Sequence, residues 1–185
     1  RQRQMCIRDS MYAKLKVKVE MRKAEMELNN VNVRQIPNIC RVETLAGDGK
    51  GEPMEPVPFP DETTFSSIAF AASDLEKNED KEWAVFYVPE NLQGETQTQG
   101  GNKSDAAPSN ALVVDITTEI GGERYLYAAY PGGNSLNNFN IQRNQVYRIT
   151  VTITGEKNQN NPSANCFVVK PDGFLSFEPY YLSLI

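Results

Sequence analysis

The chain has 185 residues, with no histidine, three cysteines and a formal net charge of -5. A Ser-His-Asp triad, a Cys-His pair and any histidine-containing zinc site are therefore impossible within it, while catalysis by paired carboxylates or by lysine survives as an option. Mild acidity argues against nucleic acid as a partner, because phosphate binding needs a concentrated basic surface. The length suits one domain or one and a half with a real core, no apolar run is long enough to span a bilayer, and the amino terminus lacks the regions of a signal peptide.

Residues 1-10, RQRQMCIRDS, show no periodicity. They resemble the translated remnant of a sequencing adapter and are set outside the fold as a non-native leader, with Cys6 among them. Native sequence before Met11 is expected to be missing. Cys40 and Cys166 then remain. An oxidising compartment would allow them to pair, but two isolated cysteines read better as free, buried thiols.

YAKLKVKVE alternates Ala13, Leu15, Val17 and Val19 with Lys14, Lys16, Lys18 and Glu20. This predicts a strand with one buried face and a lysine-bearing wet face. The lysines read as solvent-facing residues that deter pairing at a sheet edge rather than as a polyanion site. EMRKAEMEL fits both a helix and a strand, and its strand-rich surroundings favour the strand. After Asn29-Asn30 the alternation resumes one phase later at Val31 and Val33, which calls for a turn or bulge.

Residues 47-60, GDGKGEPMEPVPFP, read as a surface connection. Neither this stretch nor the later GGNKS has the spacing of a phosphate loop, and Asp48 and Glu52 do not form a calcium loop. SDLEKNEDKE has a helix start at Ser73 or Asp74 and reads as a solvated excursion. Trp83 to Val88 is continuously apolar up to Pro89, which predicts a strand buried on both faces. Residues 93-110 are polar and low in complexity, and are expected to form a mobile loop tip.

ALVVDITTEI and ERYLYAAY flank Gly121-Gly122, a hairpin signal. In VYRITVTI, Tyr147, Ile149, Val151 and Ile153 form the predicted core face, opposed by Val146, Arg148, Thr150, Thr152 and Thr154. The whole reads as an all-β, antiparallel β-sandwich with long polar loops.

Candidate site residues cluster before that last strand and after Val88. Asn137, Asn138 and Asn140 suit a turn and strand entry. Arg143-Asn144 has two readings, a clamp for a carboxylate or sugar or a cap for turn backbone, of which the cap is favoured. Glu90-Asn91 is read in the same way, although Glu90 is the best single carboxylate for a glycosidase, with Asp115 as its conceivable partner. Tyr125, Tyr127, Tyr130 and Tyr147 are read as core or cross-strand residues rather than a sugar-stacking platform. No catalytic, cofactor-binding or metal-ligating residue is assigned, and no cofactor is expected.

Three segments, FYVPENLQG at 86-94, FNIQRNQVYRITVTITG at 139-155 and SANCFVV at 163-169, together resemble the fimbrillin-type proteins of Bacteroidetes, the Mfa-like subunits of type V pili. AKLKVKVE resembles the opening strand of that family's carboxy-terminal sandwich domain. The resemblance implies a transthyretin-like, Greek-key sandwich, here residues 11-160, with 161-185 beginning a following strand segment that is cut short. It implies a structural and adhesive subunit, or accessory component, of cell-surface fimbriae, and no enzyme. Its partners would be other fimbrial subunits joined by strand addition, with host-surface glycans or proteins as further ligands. The family's lipoprotein signal and first domain have no counterpart here, so outer-membrane anchoring is assigned to a missing amino-terminal segment. The alternative is a glycan-binding or glycan-degrading module of an exported bacterial protein.

Overall fold

A computed structural model of the chain describes residues 12-40, 54-75, 82-97, 103-134 and 136-153, together with the backbone of 166-171. Eight strands are found there: β1 (Tyr12–Met21), β2 (Glu27–Pro37), β3 (Phe65–Ala71), β4 (Ala84–Pro89), β5 (Val113–Ile120), β6 (Glu123–Ala129), β7 (Val146–Ile153) and β8 (Cys166–Pro171). They form two four-stranded sheets, ordered β4-β1-β7-β8 and β3-β2-β5-β6. All pairs are antiparallel except β1 with β7, which run parallel in register from Lys14↔Val146 to Met21↔Ile153. The chain is an all-β sandwich. The leader, residues 1-10, and Asp48 and Glu52 lie outside the described residues.

Period-two alternation explains why these segments become strands and which way they face. Ala13, Leu15 and Val17 of β1 are buried against Val31 and Val33 of β2, Val114 and Ile116 of β5, and Ile149 and Val151 of β7. The predicted face of β7 is the one in the core, Tyr147 through Ile153. Thr152 on the opposite face is also buried, and its hydroxyl lies 3.5 Å from Glu20. Ile120 pairs with Glu123 across Gly121-Gly122, whose φ values of 59° and 87° give the two-residue primed turn that suits the strands' twist. The phase change after Leu28 is a bulge at Asn29, since Leu28 pairs with Thr118 and Asn30 with Thr117.

Several expectations are corrected. β1 is an interior strand, so its lysines guard no edge. Lys14 and Lys16 instead lie over the rings of Tyr87 and Trp83, at 5.8 and 5.3 Å, and Lys18 bonds Glu82 at 3.0 Å. These contacts also explain why Trp83 to Val88 misleads. β4 is an edge strand with one buried face, and Tyr87 is 59% exposed on the other, beside a lysine stem. EMRKAEMEL is divided: β1 ends at Met21, residues 22-25 turn, and β2 starts at Glu27. The helix expected at Ser73 or Asp74 is the single turn Ala72–Leu75. β3, FSSIAFA, has no counterpart among the strands expected from the sequence, its weak apolar content matching its largely exposed position at a sheet edge. Cys40 is a free thiol, but half-buried rather than buried, and the side chain of Cys166 lies outside the description.

Burial on β7 sets a direct test. Ile149→Ala is expected to lower unfolding free energy by about 2-5 kcal/mol, and Thr150→Ala by less than about 1 kcal/mol, in urea titrations. Equal losses, or the reverse order, would show that the register of β7 is misassigned.

Candidate functional site

The segment leaving β4 and the segment entering β7 run side by side at one end of the sandwich. The Asn91 N–H donates to the Ile141 carbonyl at 2.8 Å and the Ile141 N–H to the Asn91 carbonyl at 2.7 Å. Further along, the Phe139 N–H donates to the Gly94 carbonyl and the Thr96 N–H to the Asn137 carbonyl, both at 3.0 Å. A third segment joins the pair, with the Val57 N–H on the Leu92 carbonyl and the Glu95 N–H on the Met54 carbonyl. Gly94 is required where these chains meet. It has a φ of 72°, and a Cβ there would lie 2.5 Å from the Met54 carbonyl oxygen.

An ion pair sits inside this clasp. Arg143 Nη2 donates to Glu90 Oε1 at 2.8 Å, and the Arg143 main-chain N–H reaches Glu90 Oε2 at 3.3 Å. The arginine is 6% and the glutamate 9% exposed. The next residue, Asn144, takes a left-handed φ of 63° and donates its N–H to the Tyr12 carbonyl at 3.0 Å. The Gln145 carbonyl then accepts from Lys14 N–H at 2.9 Å, which starts the parallel pairing of β1 with β7. Tyr147 closes the turn, its hydroxyl accepting from Gln142 N–H and donating to the Asn140 carbonyl.

The asparagines act at long range as well as locally. Asn140 Oδ1 accepts from the Gly94 N–H at 2.7 Å. Asn138 Oδ1 accepts from Gly133 N–H and Asn140 N–H, both at 2.9 Å, while its Nδ2 donates to Glu95 Oε1 at 3.0 Å. Asn91 Nδ2 donates to the Asn110 carbonyl at 2.8 Å and the Gln35 carbonyl at 3.3 Å. The Asn137 side chain stays local, its Oδ1 accepting from Asn134 Nδ2 at 3.0 Å. Buried polar groups satisfied in this way fix the geometry of their surroundings.

Lys103 belongs to the same end of the molecule. Its Nζ donates to the carbonyls of Asn134 at 2.7 Å and Asn138 at 2.6 Å and lies 4.8 Å from the centre of the Phe139 ring. Burial lowers its pKa from 10.5 to about 8. The loop-tip expectation is corrected for the described part of residues 93-110, where Gln93 and Gly94 are packed in the clasp and Lys103 is half-buried, while residues 98-102 lie outside the described residues. Lys103, Gln93 and Glu95 were not recognisable as site residues, since a polar composition carries no sign of partners supplied from thirty or more positions away.

The other candidates separate. Asp115 lies on β5 in the other sheet and takes a two-pronged contact from Arg34, Nη2 to Oδ1 at 3.0 Å and Nε to Oδ2. That carboxylate holds the Arg34 guanidinium above its ordinary pKa. Glu90 and Asp115 thus each face their own arginine, whereas a glycosidase needs two carboxyls turned toward a shared substrate. Arg143 is likewise committed to Glu90 within the chain. Tyr127 and Tyr147 are buried, Tyr125 packs on the core, and Tyr130 meets the Phe139 ring edge to face at 6.2 Å, so they form no common platform. Among the described residues no group of three or more cysteine, aspartate or glutamate side chains is gathered for a metal.

Both halves of the clasp fall between residues 86 and 151. Residues 86-151 match the family model of a domain of unknown function, DUF4906. No curated protein matches the chain. A solved structure, the tip fimbrial protein Mfa3 from Porphyromonas gingivalis with a C-terminal truncation, is similar at 17% identity and a TM-score of 0.48. The match covers 80% of this chain and 49% of that one, so the chain spans about half the length of the structure it resembles.

Removing one charge of the buried pair leaves the other without its partner. Arg143→Met is expected to cost about 3-5 kcal/mol, and Glu90→Leu with Arg143→Met together less than the arginine change alone. Urea unfolding of the two single variants and the double variant gives the comparison. Additive losses would mean that the two residues are not coupled.

Proposed function

We propose that the protein is a structural or adhesive subunit, or accessory component, of cell-surface fimbriae and that it performs no catalysis. One observation carries this reading. Two of the segments that resemble fimbrillin-type proteins, 86-94 and 139-155, pack on each other in the described residues through Asn91, Ile141, Glu90 and Arg143. Those residues are bonded to one another in holding the fold.

Assembly would proceed by strand addition. A strand from a neighbouring subunit supplies backbone hydrogen bonds along a sheet edge and seats alternate side chains in apolar pockets, so no cofactor is needed. β4 and β3 are edges of the two sheets, and Ile68 on β3 is partly exposed although its cross-strand neighbour Val33 is buried. Other fimbrial subunits are the inferred partners, with host-surface glycans or proteins as adhesion ligands. The inferred location is the cell surface, with outer-membrane anchoring through an amino-terminal lipoprotein segment.

The test uses the native-length gene product with its amino terminus processed, mixed with candidate partner subunits and screened in parallel against polysaccharides. Stable hetero-complexes without glycan turnover are expected. Glycan cleavage that is lost in a folded Glu90→Gln variant, with no subunit association, would replace this reading with a glycan-degrading module.

A further inference from the structure

Glu95 and Lys103, from separate parts of the chain, both bond Asn138, the glutamate at its side-chain amide and the lysine at its main-chain carbonyl. Asn138 is 3% exposed. Its Oδ1 accepts two main-chain N–H bonds, from Gly133 and Asn140, and its Nδ2 donates to the Glu95 carboxylate at 3.0 Å. Lys103 Nζ is already docked on the same residue, 2.6 Å from its main-chain carbonyl oxygen, with the Phe139 ring beside it. Each contact has a chemical consequence. Two N–H donors on a carbonyl oxygen polarise the carbon and stabilise the oxyanion formed when a nucleophile adds. A carboxylate on the amide nitrogen stands where a leaving amine must gain a proton. A lysine amine is a nucleophile when neutral, and burial pulls Lys103 down to about 8.

We propose that Lys103 and Asn138 join through an intramolecular isopeptide bond. Lys103 Nζ, having given up its ammonium proton to solvent, swings from the Asn138 main-chain carbonyl to the side-chain amide and adds to Cγ. The oxyanion at Oδ1 is held by the Gly133 and Asn140 N–H groups. Glu95 takes the proton released by Nζ and returns it to Nδ2. The Cγ–Nδ2 bond breaks, ammonia leaves, and a secondary amide remains between Nζ and Cγ. One C–N bond forms and one is lost, with no change in oxidation state and no co-reactant. The product ties the turn at Lys103–Ala106 to the segment that enters β7, on top of the non-covalent clasp. This inference does not depend on the fimbrial reading.

Intact-mass spectrometry of the purified full chain after incubation at about pH 9 tests the proposal. The expected mass is below that of the sequence by about 17 Da, the mass of ammonia, with a proteolytic fragment containing both Lys103 and Asn138. Lys103→Arg and Glu95→Gln should retain the full mass, with circular dichroism showing that each variant is folded. Asn138→Asp should lose water instead, about 18 Da. A wild-type mass equal to that of the sequence would overturn the proposal. So would a deficit that persists in Lys103→Arg, since it would come from asparagine cyclisation elsewhere. A deficit that persists in Glu95→Gln would overturn the proton transfer assigned to Glu95.

Discussion

Glu90 and Arg143 are almost out of water and 2.8 Å apart, and that pairing constrains the rest of the sandwich. Neither charge can be buried alone, so the chain leaving β4 and the chain entering β7 must close on each other together. Once they do, Asn91 and Ile141 exchange backbone bonds, Phe139 is carried into the interior, and Asn144 turns the chain onto β1. The parallel β1–β7 pair, the one exception to an antiparallel architecture, begins at that turn. Desolvating two ions offsets much of their attraction. The inferred contribution of the pair is therefore to register more than to net stability.

Strands with one wet face were legible in the sequence. YAKLKVKVE and VYRITVTI carry apolar and polar residues in strict alternation, and the buried sets follow that pattern except at Val19, which is half-buried, and at Thr152, which is buried on the opposite face. Gly121-Gly122 was equally legible, because a type I′ two-residue turn needs positive φ at both positions. Trp83 to Val88 was misread because aromatic content on an edge strand looks like two-sided burial. Only the neighbouring strand reveals that Lys14 and Lys16 shelter Tyr87 and Trp83.

The polar clasp was legible only in pieces. Glu90, Asn91, Asn138, Asn140 and Arg143 each stand out against apolar neighbours, yet their partners are set by how separate segments meet. A turn-forming asparagine and a buried network asparagine look the same in one sequence. Lys103 shows the limit best: it sits in a polar, low-complexity stretch with the composition of a solvated loop, and its two carbonyl acceptors lie more than thirty positions away. Segments 86-94 and 139-155 accordingly carry the means of closing the fold.

Native-state hydrogen exchange at the clasp tests this view most directly. If the Glu90–Arg143 pair and its asparagines close the sandwich as part of one cooperative unit, the Asn91 and Ile141 amides exchange only through global unfolding, as slowly as the central amides of β1 and β7. Exchange at Asn91 and Ile141 that is orders of magnitude faster, with β1 and β7 still protected, would show that the clasp opens on its own and that the sandwich does not depend on it.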